Sequence, residues 1–273
     1  MQTLDRIGQW PVNNASAAVI YDGGRGVSQF GGQEQVYPLA SVTKLLCAYA
    51  ALVAVEEGAI DLDQPAGPPG ATVRHLLAHA SGLAFDERTV QAEPGVKRIY
   101  SSAGFEVLAD VVEAETGIAF PDYLAEGVLE PLGMSSSALV GSAGHGAQSC
   151  VRDLAAFAAE LLQPTLVSRQ THAEATTVQF PGLAGLLPGY GPQRPNDWGL
   201  GFEIRDGKHP HWTGADNSPA TYGHFGQSGT FLWVDPRADA ACVVLTDRVF
   251  GDWAKPLWSE VSDGVIAELS ARD

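Results

Sequence analysis

Ser41 and Lys44 stand three residues apart in the stretch YPLASVTK, directly before the eleven apolar residues LLCAYAALVAV. In a helix beginning near residue 41, side chains three apart share one face, so the Ser41 hydroxyl can meet the Lys44 amine. A cation in a first helical turn opposes the macrodipole, and apolar surroundings penalise its charged form. Both effects lower a lysine pKa toward the range in which an amine works as a general base near neutral pH. A serine hydroxyl is a weak nucleophile until such a base takes its proton. The free N–H groups of the first turn also point toward any oxyanion forming beside them. The structural alternative makes Ser41 a helix cap and lets Lys44 snorkel to the surface. A four-residue pattern with two free positions does not decide between them.

Other stretches shift the balance. Tyr100-Ser101-Ser102 lies in a turn before a helical segment, and His224-Phe225-Gly226-Gln227 leads into a strand. With these in place, the sequence resembles the serine β-lactamase-like hydrolases of the penicillin-binding type. Class C β-lactamases, D-stereospecific peptidases and related esterases are the nearest branches. SVTK matches the family's S-x-x-K, YSS its Y-x-N with a substitution, and HFG its K-T-G or H-T-G. HLLAHASGL (75–83) is similar to the family's HLLTHTSGL and PLGM (131–134) to its PLGM. The five motifs follow the family's order across most of the chain.

The resemblance implies roles by position. Ser41 would be the acylated nucleophile. Lys44 and Tyr100 would share general-base work, with Tyr100 reaching Ser41 across the cleft and then protonating the leaving group. A phenol titrates near 10, so Tyr100 would need a cation such as Lys44 to lower its pKa. The backbone N–H groups of Ser41 and Gln227 would form the oxyanion hole. Ser102, His224, Phe225 and Gly226 would border the substrate, with His224 orienting it or Tyr100 and Phe225 narrowing the pocket. Two departures weaken recognition of β-lactams and D-Ala-D-Ala peptides more than acyl transfer. Ser102 replaces an asparagine with a shorter group of fewer hydrogen bonds. His224 replaces a lysine, so most of a fixed positive charge is lost at pH 7.

The elements that must position these groups are strands near both ends and helices between them. Residues 17–21 and 26–30 flank Asp22-Gly23-Gly24, a hairpin signal. Residues 199–204, 230–234 and 241–246 repeat the strand pattern, and 257–269 has apolar residues at helical spacing. Helices are expected over 41–57, 72–79, 103–115, 120–129 and 151–162, and loops over 65–70 and 181–195. The expected fold is α/β (α+β): an antiparallel sheet built from both chain ends, covered by helices, with an inserted mostly helical region. Residues 1–38 and 198–273 would form the sheet region and 39–197 the helical one, in a single catalytic unit with its site in the cleft between them.

The chain has 273 residues, 32 acidic against 16 basic, and a formal net charge of −16. That balance excludes a polyanionic partner, so neither nucleic acid nor an anionic membrane surface is expected. The N-terminus shows no signal-peptide pattern, no apolar run is long enough for a membrane span, and Cys47, Cys150 and Cys242 form no CxxC pair. These point to a cytoplasmic protein with reduced thiols. His75 and His79 have the spacing of a zinc pair but lack the glutamate after the first, and His209 with His211 reads as solvated loop. GSAGHG (141–146) lacks the strand that a phosphate loop requires. No cofactor or metal is implied. The aromatic residues Trp198, Phe202, Trp212, Tyr222, Phe225, Phe231 and Trp233 read as sheet core, with some lining a pocket. The expected activity is a serine hydrolase acting through an acyl-enzyme on small esters or amides. A D-peptidase or weak β-lactamase is the alternative within the class, and a silent ligand-binding homologue the alternative outside it.

Overall fold

The computed structural model describes residues 1–272. Its centre is a six-stranded sheet whose order in space is Gly26–Phe30, Ala15–Tyr21, Ala240–Thr246, Thr230–Asp235, Tyr222–Gly226 and Glu203–Ile204. Every pairing in it is antiparallel. The first strand of the chain lies beside the last, with Ala15 opposite Thr246 and Tyr21 opposite Ala240. The two chain ends therefore close one sheet, as the strand pattern predicts.

The central strands are buried on both faces, which is why Thr230–Asp235 and Ala240–Thr246 read as continuous apolar runs. Alternation still sorts their side chains. Leu232, Val234, Val243 and Leu245 face the helices Thr43–Glu56 and Val151–Leu162. Phe231, Trp233, Cys242 and Val244 face the C-terminal helix Ala254–Ser270 and the N-terminal Leu4 and Ile7. The sequence signal for that last helix starts at 257, three residues late.

The helix Thr43–Glu56 buries every residue from Thr43 to Ala54. Such a helix, apolar all round, is stable only inside a core. Each fully buried leucine on it contributes roughly 2 kcal/mol through burial alone. Lys44 is thus committed to the interior by its neighbours. Ser41 precedes the helix on a short 3-10 turn, Ala40–Val42.

Other helices fall close to expectation. Ser102–Thr116 is capped by the Ser101 hydroxyl, which accepts from Gly104 N, and stops at Gly117. Val73–Leu77 is shorter than expected, and 120–129 divides into Phe120–Leu124 and a wider turn, Ala125–Leu129. The helix Arg169–Ala175 carries no apolar stripe and was not anticipated. Two short strands, Gly185–Leu187 and Gly191–Gln193, occupy the Gly- and Pro-rich stretch expected as loop. No helix among the described residues is long and apolar enough to cross a membrane.

Candidate active site

Three pieces of chain converge at the head of the buried helix: the turn bearing Ser41, the segment before Ser102–Thr116, and the hairpin Tyr222–Asp235. The convergence is tight at Gly226. A Cβ there would lie 2.2 Å from the Leu39 carbonyl oxygen and 3.2 Å from the Ala40 Cβ, so glycine is what lets the hairpin approach. The Thr230 hydroxyl donates to the same Leu39 carbonyl at 2.9 Å. Ala40 holds φ at +45°, an uncommon conformation for a residue with a side chain. Strain of this kind persists where the surroundings over-determine it, and here it sets the corner on which Ser41 is presented. Ser41 keeps partial exposure to solvent.

Lys44 is wholly buried. Its amine donates to the Ser102 hydroxyl at 3.0 Å and to the Gly144 carbonyl at 2.7 Å. It also lies 4.5 Å from the centre of the Tyr100 ring. Burial pushes the amine pKa down to about 7, against weaker upward pulls from Cys47 and Glu106. The lysine is therefore poised between charged and neutral forms at physiological pH, as the head-of-helix position led us to expect, although desolvation rather than the macrodipole is the main cause.

Tyr100 differs from expectation. Burial raises its pKa, and the Ser41 hydroxyl beside it lowers the value only in part. Lys44 lies under the ring rather than at the hydroxyl, so it does not make Tyr100 a phenolate. The Tyr100 hydroxyl instead pairs with His224 Nε2 at 3.2 Å. His224 Nδ1 is 2.7 Å from the Phe225 carbonyl, which can only accept, so the ring proton sits on Nδ1 and Nε2 accepts from Tyr100. Burial, followed by the Lys44 charge, pushes the His224 pKa down to about 3. At neutral pH this histidine is an uncharged acceptor.

Two expected substrate contacts are corrected. Phe225 turns to the opposite face of the sheet, because neighbouring strand residues alternate. It packs among Tyr190, Trp212, Phe250 and Trp258 and does not narrow the site. Ser102 is buried beneath the loop at 141–146 and serves Lys44, not substrate. The approach there is close enough that a Cβ on Gly144 would lie 2.7 Å from the Ser102 Cβ. In the sequence that loop was weighed only as a phosphate loop, and its place beside Lys44 was missed. Its Ser142 hydroxyl donates to Glu106 at 2.6 Å and accepts from Gly144 N at 3.1 Å, fixing the carbonyl that holds Lys44.

The Gln227 N–H, at the turn of the hairpin, donates to no protein group among the described residues. Gly226, the residue before it, is pressed on Leu39 and Ala40, the segment that leads into Ser41.

Trp198, one of the aromatics read as sheet core with some lining a pocket, stands against Tyr100, His224 and His79. Its ring centre is 5.8 Å from Tyr100, 5.4 Å from His224 and 4.5 Å from His79. His79 is buried and accepts from Ser101 N at 3.1 Å, which fixes the backbone next to Tyr100. His75 is occupied by Thr72 at the start of its helix. His211, expected as solvated loop, is instead buried against Glu203 at 2.9 Å, beside the Lys208–Glu203 ion pair. Burial pushes the Glu203 carboxyl up, but His211 and Lys208 together outweigh it and hold the pKa down to about 2. Among the described residues no cluster of three or more His, Cys, Asp or Glu is arranged to hold a metal ion.

An antiparallel sheet flanked by helices, with Ser41, Lys44, Tyr100 and His224 gathered at the head of one buried helix, defines a fold of the serine β-lactamase and penicillin-binding type. The Beta-lactamase family pattern matches residues 11–260, and the chain belongs to that family. It is similar to the crystal structure of a β-lactamase from Mycobacterium bovis, with 61% identity, 98% of this chain and 99% of that one covered, and a TM-score of 0.96. The octameric penicillin-binding protein homologue of Pyrococcus abyssi shares the fold at 21% identity and a TM-score of 0.76, over 98% of this chain and 76% of the other. A D-aminopeptidase of Brucella anthropi is 37% identical over 65 residues, 24% of this chain. The matched parts span 12% of that relative and 30% of penicillin-binding protein 4* from Bacillus subtilis, which is matched over 37% of this chain.

Proposed function

We propose that the protein hydrolyses small, uncharged esters, or amides, through a covalent acyl-enzyme on Ser41. Neutral Lys44 takes the Ser41 proton as the hydroxyl oxygen attacks the carbonyl carbon. The oxyanion that forms is held by the backbone N–H groups of Ser41 and Gln227. Tyr100 keeps its own proton in the resting site and passes it to the departing alkoxide or amine as the tetrahedral intermediate collapses. The Lys44 ammonium then gives up its proton to solvent and Tyr100 regains one from solvent, which resets the site. Attack by water on the acyl-enzyme repeats the sequence and frees the acid.

The observation that carries this function is the buried Lys44 amine with a pKa of about 7, beside a tyrosine held protonated and next to Ser41. The preference for simple esters follows from two neighbours. His224 is uncharged at pH 7, so it offers no cation to a substrate carboxylate. Ser102 is bonded to Lys44 and covered, so it offers no grip on an acylamide. Hydrolysis of p-nitrophenyl butyrate by the protein, abolished by Ser41→Ala, is the test. Equal background rates in both proteins would refute it. A second function, weak β-lactam hydrolysis, is favoured by the 61% identity to the Mycobacterium bovis β-lactamase. Nitrocefin turnover that disappears with Ser41→Ala would support it.

A further inference from the structure

Phe85 is the only aromatic among the exposed large apolar side chains of the described residues, with 52% of its surface accessible. Single exposed apolar residues are common and need no function. This one differs in how it is held. Its carbonyl accepts from both Ser102 N at 2.6 Å and Ala103 N at 3.1 Å, the first N–H groups of the helix that follows Tyr100. The Ser101 hydroxyl donates to the neighbouring Ala84 carbonyl at 2.6 Å. Ala84 N donates in turn to Thr89 at 2.8 Å, and Leu83 bridges Val90, closing the 83–90 loop. The backbone of Ala84 and Phe85 is therefore tied to the head of that helix while the ring stays open to solvent. That ring lies 5.8 Å from the Tyr100 ring, nearly parallel to it at 25°.

A rigid aromatic surface costs little conformational entropy when a ligand covers it, which suits a binding platform. Its position beside Tyr100, the group that protonates the leaving atom, places any bound apolar group next to the reacting bond. Neighbouring segments of the chain carry more exposed apolar side chains. Val90 and Val96 are 56% and 66% exposed on the segment between Phe85 and Tyr100. Leu186 is 62% exposed on the strand whose Gly185 bridges Arg98, two residues before Tyr100.

We infer that Phe85 is the platform for an apolar substituent of the ester, so that the site selects esters bearing an extended aliphatic or aromatic group over acetates of small alcohols. The inference rests on the esterase function proposed above and adds its substrate class. The chain's acidity supports the choice of an uncharged group, since a net charge of −16 repels anionic substrates.

The test compares the natural sequence with Phe85→Ala and Phe85→Leu in two ester series. The acyl series is p-nitrophenyl acetate, butyrate and octanoate. The alcohol series is ethyl, hexyl and 1-naphthyl acetate followed by proton release. For whichever series places its apolar group on the ring, Phe85→Ala should lower kcat/KM about tenfold or more for the longest member and about twofold or less for the smallest. Phe85→Leu should recover most of the loss, and thermal melting should show both variants folded. A uniform loss across both series, or none, overturns the platform while leaving Ser41 esterase activity intact. An unmutated protein that turns over no ester in either series overturns the esterase function and the platform together.

Discussion

The rate of acylation should rise with pH through one limb set by Lys44, and Ser102 should tune its midpoint. With the amine pKa at about 7, only about one tenth is neutral at pH 6 and about nine tenths at pH 8. The value of kcat/KM should climb about tenfold per unit below pH 7 and level off above about pH 8. His224, at about 3, adds no second limb in that range. The Ser102 hydroxyl accepts from the amine at 3.0 Å and holds the charged form better than the neutral one. A hydrogen bond to a charged group contributes about 1.5–3 kcal/mol and one between neutral groups about 1 kcal/mol. The difference of about 1 kcal/mol or more corresponds to roughly one pKa unit. Ser102→Ala should therefore move the midpoint from about 7 to about 6. At pH 6 the variant would run at about half of its own plateau, against about one tenth for the unmutated protein. Initial rates with p-nitrophenyl butyrate from pH 5 to 9, corrected with Ser41→Ala, read this directly. A flat profile in the unmutated protein, or a midpoint in Ser102→Ala that stays put or moves to higher pH, refutes the assignment of Lys44 as the base.

Three other outcomes follow from the same geometry. Lys44→Met should abolish turnover yet stabilise the fold at pH 6. A native pKa of about 7 against 10.5 penalises folding by roughly 5 kcal/mol below pH 7, partly offset by the Gly144 and Ser102 groups left unbonded. Between pH 7 and 10.5 the unfolded chain holds a proton that the native lysine has lost, so stability of the unmutated protein rises with pH. The advantage of Lys44→Met should fade across that window, as urea unfolding at pH 6 and pH 10 would show. Gly144→Ala must displace Ser102, 2.7 Å from the new Cβ, and should lower kcat about tenfold or more with KM little changed in steady-state assays. Glu203→Gln leaves Lys208 buried without its counter-charge and should cost about 3–5 kcal/mol in denaturant unfolding, with Lys208→Met in the same chain recovering part of it.

Much of the site was legible in the sequence because local pattern dictates it. The apolar run after Lys44 reads as a helix packed in a core, so a lysine at its head was open to burial and a lowered pKa, and the structure decided against the surface alternative. Strand patterning and turn residues placed the sheet at the chain ends and Tyr100 in a turn before a helix. The five motifs in order supplied the family.

What only the tertiary structure decided concerns which groups meet across the fold. A strand's alternation is visible in sequence, but not which face looks into the cleft, and so Phe225 was assigned to the wrong side. Ser102 could be seen as a shortened asparagine, but its capture by Lys44 depends on the loop at Gly144, a hundred residues from Lys44. Tyr100 was expected as an acidified phenol because Lys44 would be near. The cation lies under the ring, not at the oxygen, and burial of the hydroxyl wins. Likewise His211, polar in sequence, is drawn inside by Glu203 and Lys208. Periodicity records how each segment meets solvent or core. The pKa of a buried group depends on atoms brought within a few ångströms from distant segments, and only the packed chain specifies those.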